Sequence, residues 1–595
     1  MNNKILIYQV FTRLYGNRNE TRKQWGTYTE NGSGKFNDFD RTTLKHIKDM
    51  GFSHIWFTGV LRHATQTDYS AYNIPRQHPA VVKGKAGSPY AICDYYDVDP
   101  DLAVNVDKRM EEFESLVSRA HKLGLKVIID FVPNHVARQY KSIAKPEGVK
   151  DLGRDDNVSD GFNPHNNFYY CPGEHFDPYF DLRYGPSGAE HCEDSANLQP
   201  YKEYPAKSTG NDRFTSSPHA DDWYETVKLN YGVDYWTHIG HFNPIPDTWN
   251  KMTDILLFWA SKGIDGFRCD MAEMVPTAFW SWAIDKVKFL HEGIIFVGEV
   301  YDPNQYRNYL NAGFDYLYDK VGMYDTMRSV ICKSGSAAYI TKAWQATDDI
   351  KDHMLYFLEN HDEQRVASDF FAASARKGIP GLVASVLMQS NPFMLYAGEE
   401  YGERGMDAEG FSGLDGRTTI FDYWSIDTLC RAANGTLTQE EQEIYDIHQK
   451  VLNIARKEKA IDGEFYDLMY VNPSSEHFDH DHHYAFLRKK DNATLLIVCN
   501  FNDNDAEVSV NIPQHAIDFL NIKEKKYNTT DLLTGEKKQM TVKGDQSVTM
   551  TIAANSARVW KLAVAEPRKK KGTYDHKYEI NENIPFMPHL HSFFL

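Results

Sequence analysis

Charged and polar side chains recur where four hydrophobic segments of the chain end, and their types suit acid–base chemistry. They are residues 130–135 (Asp-Phe-Val-Pro-Asn-His), Arg268 with Asp270, Glu299, and residues 360–362 (Asn-His-Asp). Arg268 and Asp270 are two residues apart, so in a strand their side chains point to the same side. Buried charges are costly unless they open on a site or are paired. The alternative interpretation of this one stretch is a structural Arg–Asp ion pair.

Three carboxylates that converge with an arginine suit the hydrolysis of a glycosidic bond. The transition state of that reaction is positively charged and oxocarbenium-like, so nearby anions stabilise it. A mechanism that retains the anomeric configuration needs a carboxylate nucleophile and a carboxylic acid about 5–5.5 Å apart. We expect Arg268 to help keep Asp270 ionised, because a nearby opposite charge favours the charged form of a carboxyl group.

The elements that must position these residues alternate between strand and helix. Strands are predicted at residues 5–10, 53–58, 126–131, 265–270, 294–299, 314–318, 354–358 and 393–396. Helices are predicted at residues 40–50, 105–123, 254–262, 277–291 and 439–457. This alternation is typical of parallel βα units. Eight strands predict a closed (β/α)₈ TIM barrel, in which the catalytic groups lie at the C-terminal strand ends.

Two stretches interrupt or follow this pattern and predict further domains. Residues 136–235 are rich in Tyr, Pro, Gly, Asp and His, and are too long for a bare loop, so we expect an inserted domain B after strand 3. Short strands predicted at residues 483–488, 494–499 and 507–510 indicate a C-terminal antiparallel β-sandwich. The expected domains are therefore the barrel (1–135 and 236–464), domain B (136–235), the β domain (465–565) and a C-terminal extension (566–595).

Composition excludes some classes of partner. The net charge of −18 argues against nucleic acid, whose phosphates need a basic surface. No apolar run is long enough to span a bilayer, and the first residues do not resemble a signal peptide. Seven cysteines without a CxxC pair fit reduced thiols. We therefore expect a cytoplasmic protein with no membrane partner; the oligomeric state and the role of the tail stay open.

The four polar segments, in this order and spacing, resemble the four hallmark regions of the α-amylase family of glycoside hydrolases (family 13). The resemblance covers roughly residues 5–564 and includes the inserted and C-terminal domains. It implies that Asp270 is the nucleophile that forms a covalent glucosyl intermediate. It further implies that Glu299 is the general acid/base and that Asp362 stabilises the transition state.

The resemblance also implies residues that bind the substrate or a metal. Arg268 would orient Asp270, and His135 and His361 would hydrogen-bond the sugar at the cleavage point. Tyr90 would stack on that sugar, in a segment whose family pattern is altered at Pro89 and Ala91. The chemistry needs no cofactor. Many members bind a structural calcium ion through an Asn at the position of Asn134, an Asp of domain B and a backbone carbonyl after the nucleophile, which here falls at Met274.

The function that the resemblance implies is hydrolysis, with retention, of α-1,4-glucosidic bonds in maltooligosaccharides and starch-type α-glucans. One alternative is an α-glucan transglycosylase of the same fold, because the catalytic residues are shared. Another is a neopullulanase-like hydrolase of both α-1,4 and α-1,6 bonds, since residues 227–230 (Val-Lys-Leu-Asn) resemble the fifth region of that group. A non-catalytic glucan-binding protein is the third. Chain-length preference and endo or exo action stay open.

Overall fold

A closed barrel of eight parallel strands forms the centre of the protein in a computed structural model that describes residues 4–563. Neighbours along the chain are neighbours in the barrel, and the last strand closes on the first. The strands are β1 (Leu6–Phe11), β2 (His54–Thr58), β3 (Lys126–Phe131), β4 (Gly266–Cys269), β5 (Ile295–Gly298), β6 (Tyr316–Tyr318), β7 (Met354–Phe357) and β8 (Phe393–Tyr396). The predicted barrel is confirmed.

The barrel interior is filled by side chains rather than open. Ile7, Trp56, Ile128, Val297 and Met394 are all buried and belong to one packed cluster inside the ring. Close packing also requires a residue without a side chain in β4. A Cβ on Gly266 would lie 2.6 Å from Cγ1 of Ile295 and 3.2 Å from Cγ1 of Ile128. The barrel is thus a solid core that carries polar groups only at its rim.

The described residues contain helices of very different lengths, most of them in the barrel part of the chain. They are α1 (Thr12–Tyr15), α2 (Tyr28–Asn31), α3 (Arg41–Asp49), α4 (Arg109–Lys122), α5 (Asp247–Ser261), α6 (Thr277–Leu290), α7 (Tyr306–Asn311), α8 (Asp325–Ile331), α9 (Ala338–Ala346), α10 (Ile379–Leu387), α11 (Asp427–Asn434), α12 (Gln439–Lys457) and α13 (Gln514–Phe519). In α4 the residues Phe113, Leu116 and Ala120 are buried at helical spacing. Asp40 caps α3, because its side chain accepts a hydrogen bond from the amide of Thr43. No helix within residues 4–563 has the length and apolar character that crossing a membrane would require.

The strands of the segment between β3 and α5 form short pairs. His135–Ala137 pairs with Thr226–Lys228, Tyr170–Cys171 with Ala206–Lys207, and Val233–Asp234 with Ile239–Gly240. The first pair attaches the far end of this segment to the residues that directly follow β3. The interruption of the barrel is where we predicted it, although the domain boundaries at 136 and 235 stay a prediction.

Antiparallel strands make up the C-terminal part of the described chain. They are β9 (Glu464–Asp467), β10 (His483–Lys490), β11 (Ala493–Asn500), β12 (Ala506–Ile512), β13 (Lys525–Asp531), β14 (Lys537–Val542), β15 (Gln546–Ile552) and β16 (Ser556–Ala563). A six-stranded sheet runs β9-β10-β11-β16-β13-β14, and β12 pairs with β15. This confirms an antiparallel β domain after the barrel, whereas the predicted extension 566–595 lies outside the described residues.

Candidate active site

One buried guanidinium, that of Arg268 in β4, lies among the carboxyl groups at the barrel mouth. Its Nη1 is 2.7 Å from Oδ1 of Asp270 and 3.6 Å from Oδ1 of Asp130. Its Nη2 is 2.9 Å from Oε2 of Glu299 and 4.0 Å from Oδ2 of Asp362. The structure therefore brings together all three carboxylates predicted from the sequence, and adds Asp130.

Backbone hydrogen bonds of the barrel fix two of these carboxylates at its C-terminal edge. The amide of Asp270 donates to the carbonyl of Phe131 at 2.9 Å, and the amide of Glu299 donates to that of Cys269 at 3.1 Å. The parallel ladder thus continues one residue past the ends of β3, β4 and β5. Asp270 and Glu299 therefore start from neighbouring, rigid positions.

Glu299 is held by two hydrogen-bond donors and one ion pair. Its Oε2 accepts from the amide of Met271 at 2.7 Å and lies 2.9 Å from Nη2 of Arg268, and its Oε1 accepts from the hydroxyl of Tyr301 at 2.5 Å. Met271 has φ of 43°, a left-handed turn directly after Asp270. The sequence analysis did not single out Tyr301, which lies two residues after Glu299, beyond the end of its strand. The carboxyl group is consequently fixed in position before any substrate binds.

His361 connects Asp362 to the tyrosine predicted to stack on sugar. Its Nε2 lies 3.1 Å from Oδ2 of Asp362 and 2.5 Å from the hydroxyl of Tyr90, while its Nδ1 lies 2.8 Å from Nε2 of Gln9. An amide donor at Nδ1 assigns the proton to Nε2, whose hydrogen-bond partner is the Tyr90 hydroxyl. Burial lowers the pKa of His361 well below its usual value, and Arg268 contributes, so the ring is neutral. The structure thus brings Tyr90, His361 and Asp362 together, and their roles in binding and catalysis stay a prediction.

Burial sets the ionisation of the carboxyl cluster. It raises the pKa of Asp270 well above its usual value, that of Asp362 to about 7 and that of Asp130 to about 6, while Arg268 lowers all three. We expected Arg268 to help keep Asp270 ionised, and its charge and hydrogen bond do lower the pKa of Asp270, although desolvation is the larger effect. Since the groups interact closely, their protons belong to the cluster as a whole. The raised pKa values of Asp270 and Asp362 favour the retention of a proton within the cluster.

A pocket of about 390 Å³ opens over these groups, and its walls come partly from irregular segments. Its walls include Tyr90, His135, Asp270, Glu299, His361 and Asp362, together with Lys83, Trp223, Glu225, Tyr301, Phe411, Asp415, Arg417 and Phe421. The ring of Trp223 packs 5.3 Å from that of His135, and Lys83 lies 3.2 Å from Glu225. Burial, with Lys228 and Lys83 nearby, lowers the pKa of His135 to about 3, so this imidazole is also neutral.

The residues around Asn134 do not fit a calcium ion. The Asn134 side-chain oxygen accepts a hydrogen bond from Nζ of Lys228, and its amide nitrogen donates to the carbonyl of Gly210 at 2.8 Å. The same ammonium lies 2.7 Å from Oδ1 of Asp212 and 3.3 Å from the carbonyl of Met274. Among residues 4–563 no group of three or more His, Cys, Asp or Glu side chains could hold a metal ion. This corrects the expectation that Asn134 ligates calcium: a cationic side chain already takes its oxygen.

A parallel barrel with carboxyl groups gathered around one arginine at its C-terminal mouth defines a barrel glycosidase. The family model described as alpha amylase, catalytic domain, matches residues 29–462, and the one described as alpha amylase, C-terminal all-beta domain, matches residues 475–563. The chain belongs to the α-amylase family.

Relatives of the chain include both hydrolases and transferases. Alpha-amylase 3 of Dictyoglomus thermophilum is 24% identical over 76% of this chain and 82% of its own length. A cyclomaltodextrin glucanotransferase of a Bacillus species is 21% identical over 94% of this chain and 68% of its own. The chain spans 44% and 60% of the length of two other matched amylases. The crystal structure of a maltogenic α-amylase from Thermotoga neapolitana has the same fold, with a TM-score of 0.60, 19% identity and coverage of 95% of this chain and 100% of its own.

Proposed function

We propose that the protein hydrolyses α-1,4-glucosidic bonds of maltooligosaccharides and related α-glucans with retention of configuration. The observation that carries the proposal is the bridge between Asp270 and Glu299. Both carboxyl groups touch the Arg268 guanidinium, at 2.7 and 2.9 Å, and both line the pocket. A nucleophile and an acid held by one guanidinium suit a two-step displacement.

In the first step the Asp270 carboxylate attacks the anomeric carbon and a glucosyl–enzyme ester forms. The bond from that carbon to the glycosidic oxygen breaks, and Glu299 gives its proton to the departing oxygen. In the second step Glu299 takes a proton from water, the resulting hydroxide equivalent attacks the same carbon, and the ester bond to Asp270 breaks. Two inversions at one carbon return the α configuration.

The neighbouring residues receive positioning and binding roles. Arg268 holds Asp270 and Glu299 relative to each other. Asp362 lies 3.1 Å from Nε2 of His361 and stabilises the positive charge of the transition state. Tyr90 and His135 line the wall of the pocket and contact the sugar at the cleavage point. The seven cysteines are free thiols, which supports our further proposal of a cytoplasmic protein.

Product analysis tests this proposal. Incubation with maltoheptaose should give shorter maltooligosaccharides whose new reducing ends are α-anomers, as read by NMR within the first minutes. Initial β-anomers would exclude the retaining mechanism.

Pullulan and product length separate the related activities. Cleavage of pullulan in a parallel incubation would indicate a mixed α-1,4/α-1,6 specificity, and products longer than maltoheptaose would indicate transglycosylation. Binding of maltoheptaose without any product would make the chain a glucan-binding member of the family.

A further inference from the structure

Lys228 presents a buried ammonium to oxygen atoms from three separate parts of the chain. Its side chain is 2% exposed, and its Nζ lies 2.7 Å from Oδ1 of Asp212 and 3.3 Å from the carbonyl of Met274. The same nitrogen donates to the side-chain oxygen of Asn134. The ring of Tyr235, 5.4 Å away, lies on a further side. The ammonium is therefore hydrogen-bonded to Asn134 and Met274 and ion-paired with Asp212.

These three oxygens belong to segments that bound the catalytic pocket. Asn134 directly precedes His135, which lines that pocket. Met274 closes the turn that begins at Met271, since its amide donates to the Met271 carbonyl at 3.0 Å. Asp212 belongs to the insertion between β3 and α5. The ammonium therefore connects the insertion to the segment after β3 and to the loop after Asp270.

An amide oxygen, a carboxylate and a backbone carbonyl are also the ligand types that calcium prefers, but calcium takes six to eight of them. It cannot share this volume with a positive charge that already contacts all three. We propose that the Lys228 ammonium is the built-in structural cation of this enzyme, that it holds the insertion on the barrel mouth, and that the protein is therefore independent of calcium. Lys228 is a positioning residue in this proposal, since it acts on the pocket through Asn134 and Met274.

The first test uses the unaltered protein. Its midpoint of thermal unfolding (Tm) and its calcium binding by isothermal titration are measured after dialysis against EDTA and after addition of millimolar calcium. We expect an unchanged Tm and no calcium binding. A Tm that falls in EDTA and returns with calcium would overturn the proposal. Neither readout uses substrate, so failure here is distinct from failure of the proposed hydrolytic function.

The second test replaces the cation. Lys228→Met keeps the length of the side chain without its charge, and should lower Tm in a way that calcium does not restore. Its kcat/KM for maltoheptaose should fall by about 10- to 100-fold, because small displacements at a catalytic site cost about that much. A Lys228→Met protein with the Tm and kcat/KM of the unaltered chain would contradict the positioning role.

Lys228→Asp distinguishes a cation site from an ordinary ion pair. This change adds a carboxylate to the three existing oxygens and leaves a cluster of oxygen ligands of the kind that calcium binds. We expect its Tm and kcat/KM to rise towards those of the unaltered protein when calcium is added, and to fall in EDTA. No calcium response in Lys228→Asp would show that the three oxygens do not form a cation site, and would overturn the proposal.

Discussion

At the residue scale, the side chain of Arg268 determines how the carboxyl groups of the site are arranged. Its guanidinium is fully buried and lies 5.1 Å from the ring of Trp56 and 5.5 Å from that of Tyr318. Aromatic faces stabilise a cation where water is excluded. Because the arginine is held from both sides, it fixes the relative position of the carboxyl groups that it touches. As a consequence, the cluster contains more carboxyl groups than the single positive charge of Arg268 can neutralise.

Removal of the proposed nucleophile should separate chemistry from binding. We expect Asp270→Ala to lower kcat on maltoheptaose by about 10⁴-fold or more, while the oligosaccharide still binds, since deletion of a nucleophile costs about this much in other enzymes. Azide should restore turnover of an activated aryl α-maltoside. The anion would attack from the face that Asp270 vacates, form a β-glycosyl azide and release the aryl oxide.

The exposed Asp302 offers a matched control for this substitution. Asp302→Ala should keep the activity of the unaltered protein and form no azide product. Formation of an α-glycosyl azide by Asp270→Ala, or unimpaired hydrolysis without azide, would contradict the assignment of Asp270 as the nucleophile.

Asp130 should make stability fall with rising pH. Burial raises its folded-state pKa to about 6 from a usual value of 3.8, so between these values the folded state binds more protons than the unfolded state. The free energy of unfolding therefore decreases as the pH rises from about 4 to about 6. The neutral Asp130→Asn variant avoids that loss, which amounts to about 3 kcal/mol at pH 7 by the size of the shift.

The measurement compares Tm of Asp130→Asn and of the unaltered protein at about pH 4.5 and about pH 7.5. The variant should have the higher Tm at the upper pH, with a smaller or absent advantage at the lower. Asp221→Asn, at an exposed position, should show no such dependence. An equal difference at both pH values would contradict burial as the cause.

At the scale of elements, the sequence best predicted the bounds of strands and helices that have a regular pattern of apolar residues. The bounds of β3, β8 and α12 agree with the prediction, because buried apolar runs mark the two strands and amphipathic spacing marks the helix. α5 begins at Asp247 rather than at residue 254. Its first two turns bury Trp249 and Met252 among polar residues, so the apolar stripe was too sparse to recognise.

The lack of a recognisable apolar pattern also explains why some residues of the site were not predicted. Asp270, Glu299 and Asp362 follow strands, so the rule that catalytic groups lie at C-terminal strand ends placed them together. Lys83, Glu225 and Phe411 come from irregular segments whose path depends on tertiary contacts. Lys228 was noticed only as part of the fifth-region resemblance, since nothing in the sequence gives the direction of a lysine side chain.

At the scale of the whole molecule, Arg488 of β10 joins the C-terminal sheet to the barrel. It is 1% exposed, and its guanidinium donates to the carbonyls of Met388, Ile461 and Gly463, the last at 2.9 Å. Met388 follows α10 directly, so this contact reaches the helical layer of the barrel. Backbone carbonyls, rather than a carboxylate, accept these hydrogen bonds from the charged guanidinium. The attachment of the two parts is therefore polar and specific at this point.

Replacement of Arg488 should loosen the C-terminal sheet without touching the catalytic groups. Arg488→Met removes a donor from three carbonyls, of which that of Ile461 keeps the hydroxyl of Ser390 as a donor. Hydrogen bonds to a charged group contribute roughly 1.5–3 kcal/mol each, so we expect a loss of about 3 kcal/mol or more in the free energy of unfolding. Tm should fall, and limited proteolysis should cut between β9 and β10 sooner, while KM for maltoheptaose stays constant below the unfolding transition.

Arg404→Met is the control, because that arginine is 57% exposed and pairs with Asp369 at the surface. Exposed ion pairs contribute little to stability. Equal Tm values for the two variants would mean that apolar packing, rather than Arg488, holds the sheet to the barrel.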